Sequence, residues 1–515
     1  MEITFQASDL WGILPALILI AFASLAALME AFARPEHSRG FIAVFGAIGS
    51  LVALAVSAWQ WTGIDGAYQV PLFGKMLVMD AFSTFFNGIF AVGALLACLL
   101  GGRYLREHKA DFGEYTALIL FGAAGMGLMV QSRDLVVMFV NLEIMSIAIY
   151  VLSGFVRKNR RGAESALKYF LMGSVASAVL LYGVALLYGM TGSTDLVAMR
   201  EAFDADKALG TSLLVKLGMV FLLGGLAFKV ALAPFHLWTP DVYDGAPSPV
   251  TAFMAAGVKA AGFAVMVRVF AVTFGFDALE FGADGKGWVG LFYALAVATM
   301  FAGNLAAIPQ VNVKRMLAYS SIAHAGYLLV GILSGAFGDL GNPATAGTAI
   351  GGNSAVLYYL LTYAFSTFLV LAAISLFGKD GEEFVHVSDF AGFGFKRPFV
   401  ALAMTLGLLS LAGIPPLGGF FAKFYLFREA MALQKPEMVW LTLIAIVNSM
   451  IALYYYLRVI VFLYMKEPTR EVPAFESKGA VAVMIIALAA VLVLGLFPDG
   501  YVEMARRSVE SLALK

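Results

Sequence analysis

Four charged side chains lie deep inside long apolar runs of this 515-residue sequence: Glu143, Lys229, Lys259 and Lys423. A charge at the centre of a membrane-spanning helix costs about 2.5–3.5 kcal/mol even on the most lenient insertion scale. A carboxylate and an amine take up or release protons near neutral pH when burial opposes their charge and a nearby opposite charge favours it. Packing alone explains four such charges poorly, and their residue types predict a path for protons.

The electrostatic coupling between a buried carboxylate and a buried ammonium group is large enough to drive proton uptake and release. At an effective dielectric constant of about 20, a carboxylate and an ammonium group 4 Å apart are coupled by about 4 kcal/mol. Moving a proton across 100 mV requires about 2.3 kcal/mol. Uniting and separating Glu143 and Lys229 is therefore sufficient to drive proton uptake and release. Lys259, His324 and Lys423 are the predicted stepping stones, joined by water.

Four titratable residues, His236, His324, Glu164 and Lys168, each have a structural alternative. His236 follows a predicted helix break and His324 lies in the middle of a predicted helix, so each either joins the relay or is a hydrogen-bonded structural histidine. Glu164 and Lys168 stand four residues apart near a helix start, which suits both a local ion pair and an uptake point for protons.

Other polar residues in the apolar runs are expected to be structural. Three basic residues, Lys216, Arg268 and Arg458, are predicted to extend towards the membrane interface. The tyrosines at 358, 359 and 454–456 are predicted to pack or to anchor helices.

Transmembrane helices must position these residues. The sequence is 61% hydrophobic and 13% charged, with a mean hydropathy of +0.86, whereas soluble proteins carry about 25% charged residues. Apolar runs of about 20 non-alternating residues indicate helices and exclude barrel strands. The fourteen predicted spans are 10–32, 40–59, 78–101, 114–131, 134–156, 164–190, 211–243, 248–272, 286–308, 314–336, 354–377, 398–433, 438–465 and 479–497.

Two of these spans are interrupted in corresponding places. Pro234 follows Lys229, and the run from Pro415 to Gly419 precedes Lys423. Paired interruptions indicate a transporter-like repeat, and five helices per repeat place the second repeat in inverted orientation. The sequence therefore predicts an all-α integral membrane protein with about 14 transmembrane helices and two inverted five-helix repeats, each containing a broken helix.

The predicted organisation has four parts. Residues 1–110 form a three-helix segment, 111–275 the first repeat, 276–466 the second repeat, and 467–515 a C-terminal helix and tail. With the N-terminus outside, the cytoplasmic loops hold 17 Lys and Arg residues and the other segments hold 10. The excess predicts that both termini lie outside the cytoplasm.

The composition also excludes several classes of protein. The 34 basic and 34 acidic residues balance, so nothing indicates a nucleic-acid partner. Cys98 is the single cysteine, which rules out an intrachain disulfide and a four-cysteine iron–sulfur cluster. The glycine-rich connection at 335–352 has no GxGxxG or Walker pattern, and the chain has no HExxH motif. Redox centres and metal ligands are therefore not expected in this chain.

Two long segments carry a resemblance to a known family. Residues 226–270 read LAFKVALAPFHLWTPDVYDGAPSPVTAFMAAGVKAAGFAVMVRVF, and residues 402–427 read LAMTLGLLSLAGIPPLGGFFAKFYLF. They closely resemble the subunit N family of antiporter-like membrane subunits in the bacterial proton-translocating NADH:quinone oxidoreductase, respiratory complex I. The resemblance covers essentially the whole chain. Sister subunits typically read LPDAH with EAP where this sequence reads TPDVYDGAP.

The resemblance implies specific roles. Position by position, the proposed proton path of the family falls on Glu143, Lys229, Lys259 and Lys423, with weaker roles for His236 and His324. It also implies that FMN, the iron–sulfur clusters and the quinone site lie on partner subunits, membrane and peripheral. The expected location is the bacterial inner (plasma) membrane, crossed many times, with both termini periplasmic.

Two other functions remain to be compared with this one. A subunit of a multisubunit Na⁺/H⁺ antiporter would share the outline, work without NADH and respond to sodium. A polytopic scaffold with incidental buried charges would need them for assembly but not for coupling.

Overall fold

The computed structural model describes residues 6–33, 38–64, 69–274, 287–338, 340, 344–379, 382–468 and 474–513. Within these residues the chain is almost entirely helical, with two short antiparallel hairpins. Four charges counted for orientation, Arg34, Lys286, Arg470 and Lys515, lie outside the described residues. The predicted boundary between the repeats, at 275/276, also lies outside them.

The first part of the chain, up to residue 274, contains a short helix, two long helices, a hairpin and a further series of helices. Their bounds are α1 Ala7–Gly12, α2 Leu14–Phe32, α3 Gly40–Thr62, β1 Val70–Leu72, β2 Leu77–Met79, α4 Ala81–Glu107, α5 Glu114–Gln131, α6 Leu135–Ser153, α7 Arg160–Thr191, α8 Leu196–Ala205, α9 Lys207–Thr211, α10 Leu213–Lys229, α11 Thr239–Gly245, α12 Ser248–Phe253, a π-helical turn Met254–Val258, and α13 Lys259–Val272.

The second part repeats the pattern of long helices around a second hairpin. The bounds are α14 Val289–Ala307, α15 Val313–Ala336, α16 Ala346–Ile374, β3 Gly378–Lys379, β4 Glu382–Glu383, a 3₁₀ turn Val387–Phe390, α17 Phe393–Lys396, α18 Pro398–Ala412, α19 Gly418–Ala432, α20 Pro436–Met465, α21 Lys478–Leu496 and α22 Pro498–Glu510.

Twelve stretches of the described chain are long and apolar enough to cross a membrane: α2 to α7, α12 continued through the π turn into α13, α14 to α16, α20 and α21. The other two predicted crossings each consist of two helices, α10 with α11 and α18 with α19. The predicted all-α membrane fold is therefore confirmed. One broken crossing lies among α5 to α13 and one among α14 to α20.

The breaks have clear backbone causes. Helix α10 ends at Lys229, and Ala231 then adopts a left-handed conformation with φ 60° before Pro234. Helix α18 ends at Ala412, and the C-cap residue Gly413 has φ 88°, a left-handed conformation that favours glycine. A Cβ atom at Gly413 would also lie 3.0 Å from Cδ of Lys423. Glycine here lets the lysine stem lie against the end of the broken helix.

Helix α16 differs from its predicted span of 354–377, because it begins eight residues earlier, at Ala346. Its first turns are rich in glycine and alanine and lack a strong hydropathy signal. These small residues have a packing role, since a Cβ atom at Gly352 would lie 2.2 Å from the backbone nitrogen of Gly335 in α15. Small residues allow two membrane helices to approach this closely.

The most deeply buried crossings are α13, α15 and α16, which carry buried side chains nearly all round. Helices α6 and α7 instead expose an apolar outer face that includes Ile147 and Val175. The polar residues singled out from the sequence lie mainly on the buried helices and on the broken ones beside them.

Candidate functional site: a buried polar axis

The acidic end of the site lies on α6. The carboxylate of Asp134 accepts hydrogen bonds from the backbone N–H groups of Val136 (2.8 Å) and Val137 (3.1 Å), which fixes the start of this helix. Glu143 therefore lies about 13 Å along it, near the middle of a roughly 30 Å hydrocarbon core. Its half-buried carboxylate accepts a 2.5 Å hydrogen bond from the hydroxyl of Ser177 in α7.

Lys229 lies where α10 breaks, and its side chain is buried. Its ammonium group donates to the hydroxyls of Ser146 (2.7 Å) and Tyr150 (3.1 Å) on α6. Ser146 is one helical turn from Glu143 on α6, so Lys229 contacts the turn of α6 that follows Glu143. Among the described residues they form no direct ion pair, and the Ser146 hydroxyl binds the ammonium group instead.

Lys259 lies in the fully buried crossing Ser248–Val272, immediately after the π-helical turn of residues 254–258. Single π turns are frequent at functional sites. The buried ammonium group donates to the hydroxyl of Ser321 in α15 (2.5 Å) and also to the backbone carbonyl of Ser321. It lies 5.3 Å from the ring centroid of Tyr363. A hydroxyl and an aromatic face thus hold the charge without a carboxylate.

His324 lies one turn after Ser321 on the same helix and is bonded on both sides. Its Nδ1 is 2.5 Å from the hydroxyl of Tyr359, and its Nε2 is 3.1 Å from the hydroxyl of Tyr456. Tyr456 is also hydrogen-bonded to Ser320. Because the imidazole and the hydroxyls each both donate and accept, the group can relay a proton in either direction.

Lys423 lies beyond the second break. Its buried ammonium group donates to the carbonyl oxygen of Ala412 and to the hydroxyl of Ser449, both at 2.8 Å. It also lies 5.3 Å from the ring centroid of Tyr327, which follows His324 by one turn. The Tyr327 hydroxyl accepts a 3.0 Å hydrogen bond from the amide of Asn304.

A small cavity lies between His324 and the second break. Its volume is about 10 Å³, and Tyr359, Ser366, Ser410 and Gly419 are among the residues that line it. This is about the space that one water molecule needs, and the polar lining suits one. We use the term buried polar axis for Glu143, Lys229, Lys259, His324 and Lys423 together with the hydroxyl groups around them: Ser177, Ser146, Tyr150, Ser321, Ser320, Tyr359, Tyr456 and Ser449.

Two predicted candidates lie apart from this axis. His236 is on the segment after the first break, beside the exposed side chains of Phe235 and Leu237, and its side chain makes no hydrogen bond within the described residues. Lys168 makes ion pairs with Glu164 (2.7 Å) and with Asp241 of α11 (2.8 Å). The local ion pair predicted for Lys168 exists, and it is extended to the broken crossing.

The prediction that Arg268 extends to the membrane interface is wrong. Its guanidinium group is buried and makes two hydrogen bonds to Asp80, at 2.8 and 3.0 Å. Asp80 is also the N-cap of α4, where its carboxylate accepts the N–H of Ser83. The bidentate pair satisfies a charge that the sequence left without a partner, since 188 residues separate the two. Arg458 instead donates to the carbonyls of Ile308 and Gln310 at the end of α14.

Sequence reasoning missed most of the hydroxyl partners. Tyr359 and Tyr456 are predicted from the sequence to pack or to anchor helices, and nothing in the sequence singles out Ser146, Ser177 or Ser321. One usable signal exists, because a tyrosine hydroxyl buried in an apolar run needs a hydrogen-bond partner. The position of Tyr359 in a fully apolar part of α16 therefore points to a polar partner opposite it.

A second buried ionic group lies in the loop after α16, outside the membrane-spanning segments. The carboxylate of Glu383 in β4 binds the ammonium group of Lys314 (2.6 Å) and accepts hydrogen bonds from the Tyr104 hydroxyl (2.6 Å) and the Ser248 N–H (3.1 Å). Burial raises the pKa of Glu383, but the charges of Lys314 and His108 outweigh burial, so its pKa lies below the ordinary value. This network ties the hairpin to α4, α12 and α15.

Comparisons with known proteins agree with one another. A family model described as NADH:quinone oxidoreductase/Mrp antiporter, TM, matches residues 132–452. NADH-quinone oxidoreductase subunit N from Trichlorobacter lovleyi is 42% identical over 510 residues, which cover 98% of this chain and 98% of that protein.

Solved structures show the same architecture. A chain in respiratory complex I from Thermus thermophilus with bound aureothin is 33% identical, with a TM-score of 0.76, over 95% of this chain and 98% of that one. A chain in the Mrp complex from Dietzia sp. DQ12-45-1b has a TM-score of 0.81 over 98% and 97% of the two chains. At 21% identity, the second likeness concerns the fold alone.

Proposed function

This chain belongs to the NADH-quinone oxidoreductase subunit N family, and we propose that it conducts protons through the buried polar axis as a membrane subunit of a bacterial proton-translocating NADH:quinone oxidoreductase. The observation that carries the proposal is that two hydroxyl-bonded groups lie one turn apart on α15. Lys259 donates to the hydroxyl of Ser321, and His324 is bonded to Tyr456, which is also bonded to Ser320. Each hydroxyl accepts a proton on one side and releases one on the other.

The roles along the axis follow from these contacts. Lys229, Lys259 and Lys423 hold the exchangeable charges, each bound to hydroxyl or carbonyl oxygens. Glu143 is the acidic partner of Lys229, one turn away on α6. The Ser146 hydroxyl lies between these two charges, so a small shift of α6 or α10 brings them together or separates them.

Protons suit this axis better than sodium ions. A hard cation such as Na⁺ requires several oxygen ligands. Along the buried polar axis the described residues offer one carboxylate and three ammonium groups, and the ammonium groups repel a second cation. This charge balance, together with the subunit N relatives, favours proton conduction within complex I over the Na⁺/H⁺ antiporter alternative.

The redox reaction is assigned to other chains. We propose that FMN, the iron–sulfur clusters and the quinone-reduction site lie on partner subunits, and that this chain contacts neighbouring membrane and peripheral subunits. As part of that enzyme it resides in the bacterial inner membrane. It contributes to the translocase without holding a redox centre.

The substitution Lys259→Ala tests the proposal in inverted membrane vesicles. We expect NADH-driven acidification and quinone reduction to fall by about tenfold, which corresponds to about 1.4 kcal/mol of lost transition-state stabilisation. NADH oxidation by a soluble acceptor, which reports on the peripheral arm, should remain. Lys158→Ala, in the exposed loop after α6, is the matched control.

The amount of assembled complex is measured on a native gel so that rates refer to equal enzyme. If acidification per assembled complex stays near that of the parent protein, the axis does not carry the protons. Ser321→Ala provides a second variant, since it removes the hydroxyl bound by Lys259 but retains the charge.

A further inference from the structure

A large apolar cavity lies outside the buried polar axis. Its volume is about 350 Å³, and its walls come from α3, α4, α16, α21 and α22. Helix α16 presents Tyr359 to the axis and Phe365 to this cavity. Ala58 and Val493 also line the cavity and are exposed, so it opens sideways between α3 and α21, towards the lipid. An apolar opening of this kind suits a lipid-soluble ligand.

The length of the cavity matches one leaflet of a bilayer. Its wall along α4 runs from Thr84 to Leu96, which is about 18 Å at 1.5 Å per residue. Half of a hydrocarbon core is about 15 Å. The apolar lining between these two residues, including Phe85 and Ile89, provides no hydrogen bond. The space therefore fits an extended hydrocarbon chain aligned with the helices.

One end of the cavity is polar. The Thr84 hydroxyl lines the cavity there, and although the residue is only 3% exposed, its Oγ1 has no hydrogen-bond partner among the described residues. A buried hydroxyl without a partner is costly. Trp61 and Tyr501 line the same end, and these are the residue types that mark the level of lipid headgroups.

A cation lies beside this polar end. The guanidinium carbon of Arg507 is 5.9 Å from the ring centroid of Trp61, and Arg507 follows the cavity-lining Met504 by one turn of α22. The structure gives Arg507 no ion pair within the described residues, whereas the neighbouring Arg506 pairs with Glu510 at 3.4 Å. Guanidinium groups bind phosphate well.

Helix α22 is held firmly over this region. The backbone N–H of Phe82, at the start of α4, donates to the hydroxyl of Ser511 (3.1 Å). The side-chain amide of Gln69 donates to the Ser511 carbonyl (2.6 Å). The cation is therefore carried by a helix whose end is fixed to the same helix that forms the cavity wall.

We propose that this cavity is a binding site for a membrane glycerophospholipid. One acyl chain occupies the apolar body, its ester carbonyl accepts a hydrogen bond from Thr84, and its phosphate binds Arg507. A quinone with an isoprenoid tail would fill the apolar space but has no anionic group for Arg507. The proposal stands independently of the proton path.

Photolabelling tests this site on the full-length protein in its assembled complex. The complex is placed in phosphatidylglycerol and phosphatidylethanolamine vesicles that contain a trace of phosphatidylglycerol with a diazirine on its acyl chain. A diazirine-labelled diacylglycerol, which lacks the phosphate, is used in parallel. We expect the phospholipid to label peptides of α4 and α16 about fivefold or more above the diacylglycerol, because a charged hydrogen bond to phosphate is strong.

Three variants separate the apolar and polar contributions. Gly88→Leu fills the cavity. A Cβ atom at this position meets only Leu54, at 4.0 Å, so the helix accepts the larger side chain. This variant should remove the labelling by both probes. Arg507→Ala should lower phospholipid labelling to the level of diacylglycerol. Arg506→Ala is the matched control and should change nothing.

Three results would overturn the proposal. One is equal labelling of the parent protein and Gly88→Leu, and another is equal labelling by the two probes in the parent protein. The third is loss of phospholipid labelling when excess long-chain quinone is added, which would assign the cavity to a quinone tail.

Discussion

At the scale of single residues, the buried charges share one arrangement. Each lysine of the axis has a serine hydroxyl as an acceptor, and the pairs are Lys229 with Ser146, Lys259 with Ser321, and Lys423 with Ser449. An unpaired buried ammonium group would be very costly, and a hydroxyl lowers that cost without locking the charge into a strong ion pair. The charge therefore stays available for exchange.

The two tyrosines on His324 lead to a specific prediction. Tyr456→Phe removes the hydroxyl that joins His324 to Ser320 while it keeps the ring that fills the core. We expect proton translocation per NADH oxidised to fall by about tenfold, the cost of losing roughly one hydrogen bond of 1–1.5 kcal/mol at a buried site. The measurement is vesicle acidification divided by the amount of NADH oxidised in the same sample.

The neighbouring residue provides the control for that experiment. Tyr454 is 58% exposed on the same helix, so Tyr454→Phe should leave acidification unchanged. Equal acidification by the Tyr456 and Tyr454 variants would mean that protons do not pass through the Tyr456 hydroxyl.

At the scale of elements, the hairpin of β3 and β4 acts as a tie between distant helices. Glu383 binds Lys314 of α15, Tyr104 of α4 and the N–H of Ser248 in α12. A two-stranded hairpin is not stable alone in water. Its position is set by this buried carboxylate, and in return it holds three helix ends together.

This tie makes stability depend on pH in a defined direction. The pKa of Glu383 is lower in the folded state than in the unfolded state. The contribution of Glu383 to the free energy of unfolding is therefore complete above the unfolded-state pKa of about 4.3, and it is lost as pH falls through the folded-state pKa. Glu383→Gln keeps an acceptor for Tyr104 but leaves the charge of Lys314 unpaired. We expect the variant to be about 3–5 kcal/mol less stable at pH 7.

Thermal unfolding of the purified protein at several pH values measures this effect. The difference between the parent protein and Glu383→Gln should narrow as pH falls below about 4. Glu382→Gln, at the exposed neighbouring position, should match the parent at every pH. A difference that stays constant with pH would mean that the charge of Glu383 does not stabilise the fold.

At the scale of the whole molecule, the fourteen predicted crossings would place both termini on the same side of the membrane. The distribution of Lys and Arg predicts that this is the periplasmic side. Cys98 is fully buried, so cysteines introduced at the surface can be labelled without interference.

We therefore predict that a membrane-impermeant maleimide labels Glu503→Cys in intact spheroplasts and labels Lys158→Cys only after the membrane is opened. Both positions are exposed, the first on α22 and the second in the loop between α6 and α7. The opposite pattern would reverse the orientation of the whole chain.

The sequence was informative where a residue conflicts with its surroundings. Glu143 and Lys259 conflict with apolar runs, and Pro234 conflicts with a helix, so these residues could be located along their helices without a structure. The pairing of Asp80 with Arg268 could not be predicted, because sequence gives depth along each helix but not which helices adjoin. Ser321 conflicts with nothing in its apolar run, and its contact with Lys259 depends on which helices adjoin.

The hydroxyl-rich character of the buried polar axis has a consequence for the direction of transport. A serine or tyrosine hydroxyl donates as readily as it accepts, so a row of them has no intrinsic polarity. A proton route built in this way would carry protons equally well in either direction. Net flow would then follow whichever free-energy difference the rest of the complex applies, and the same residues would serve the reverse reaction, in which the proton gradient drives electrons back to NAD⁺.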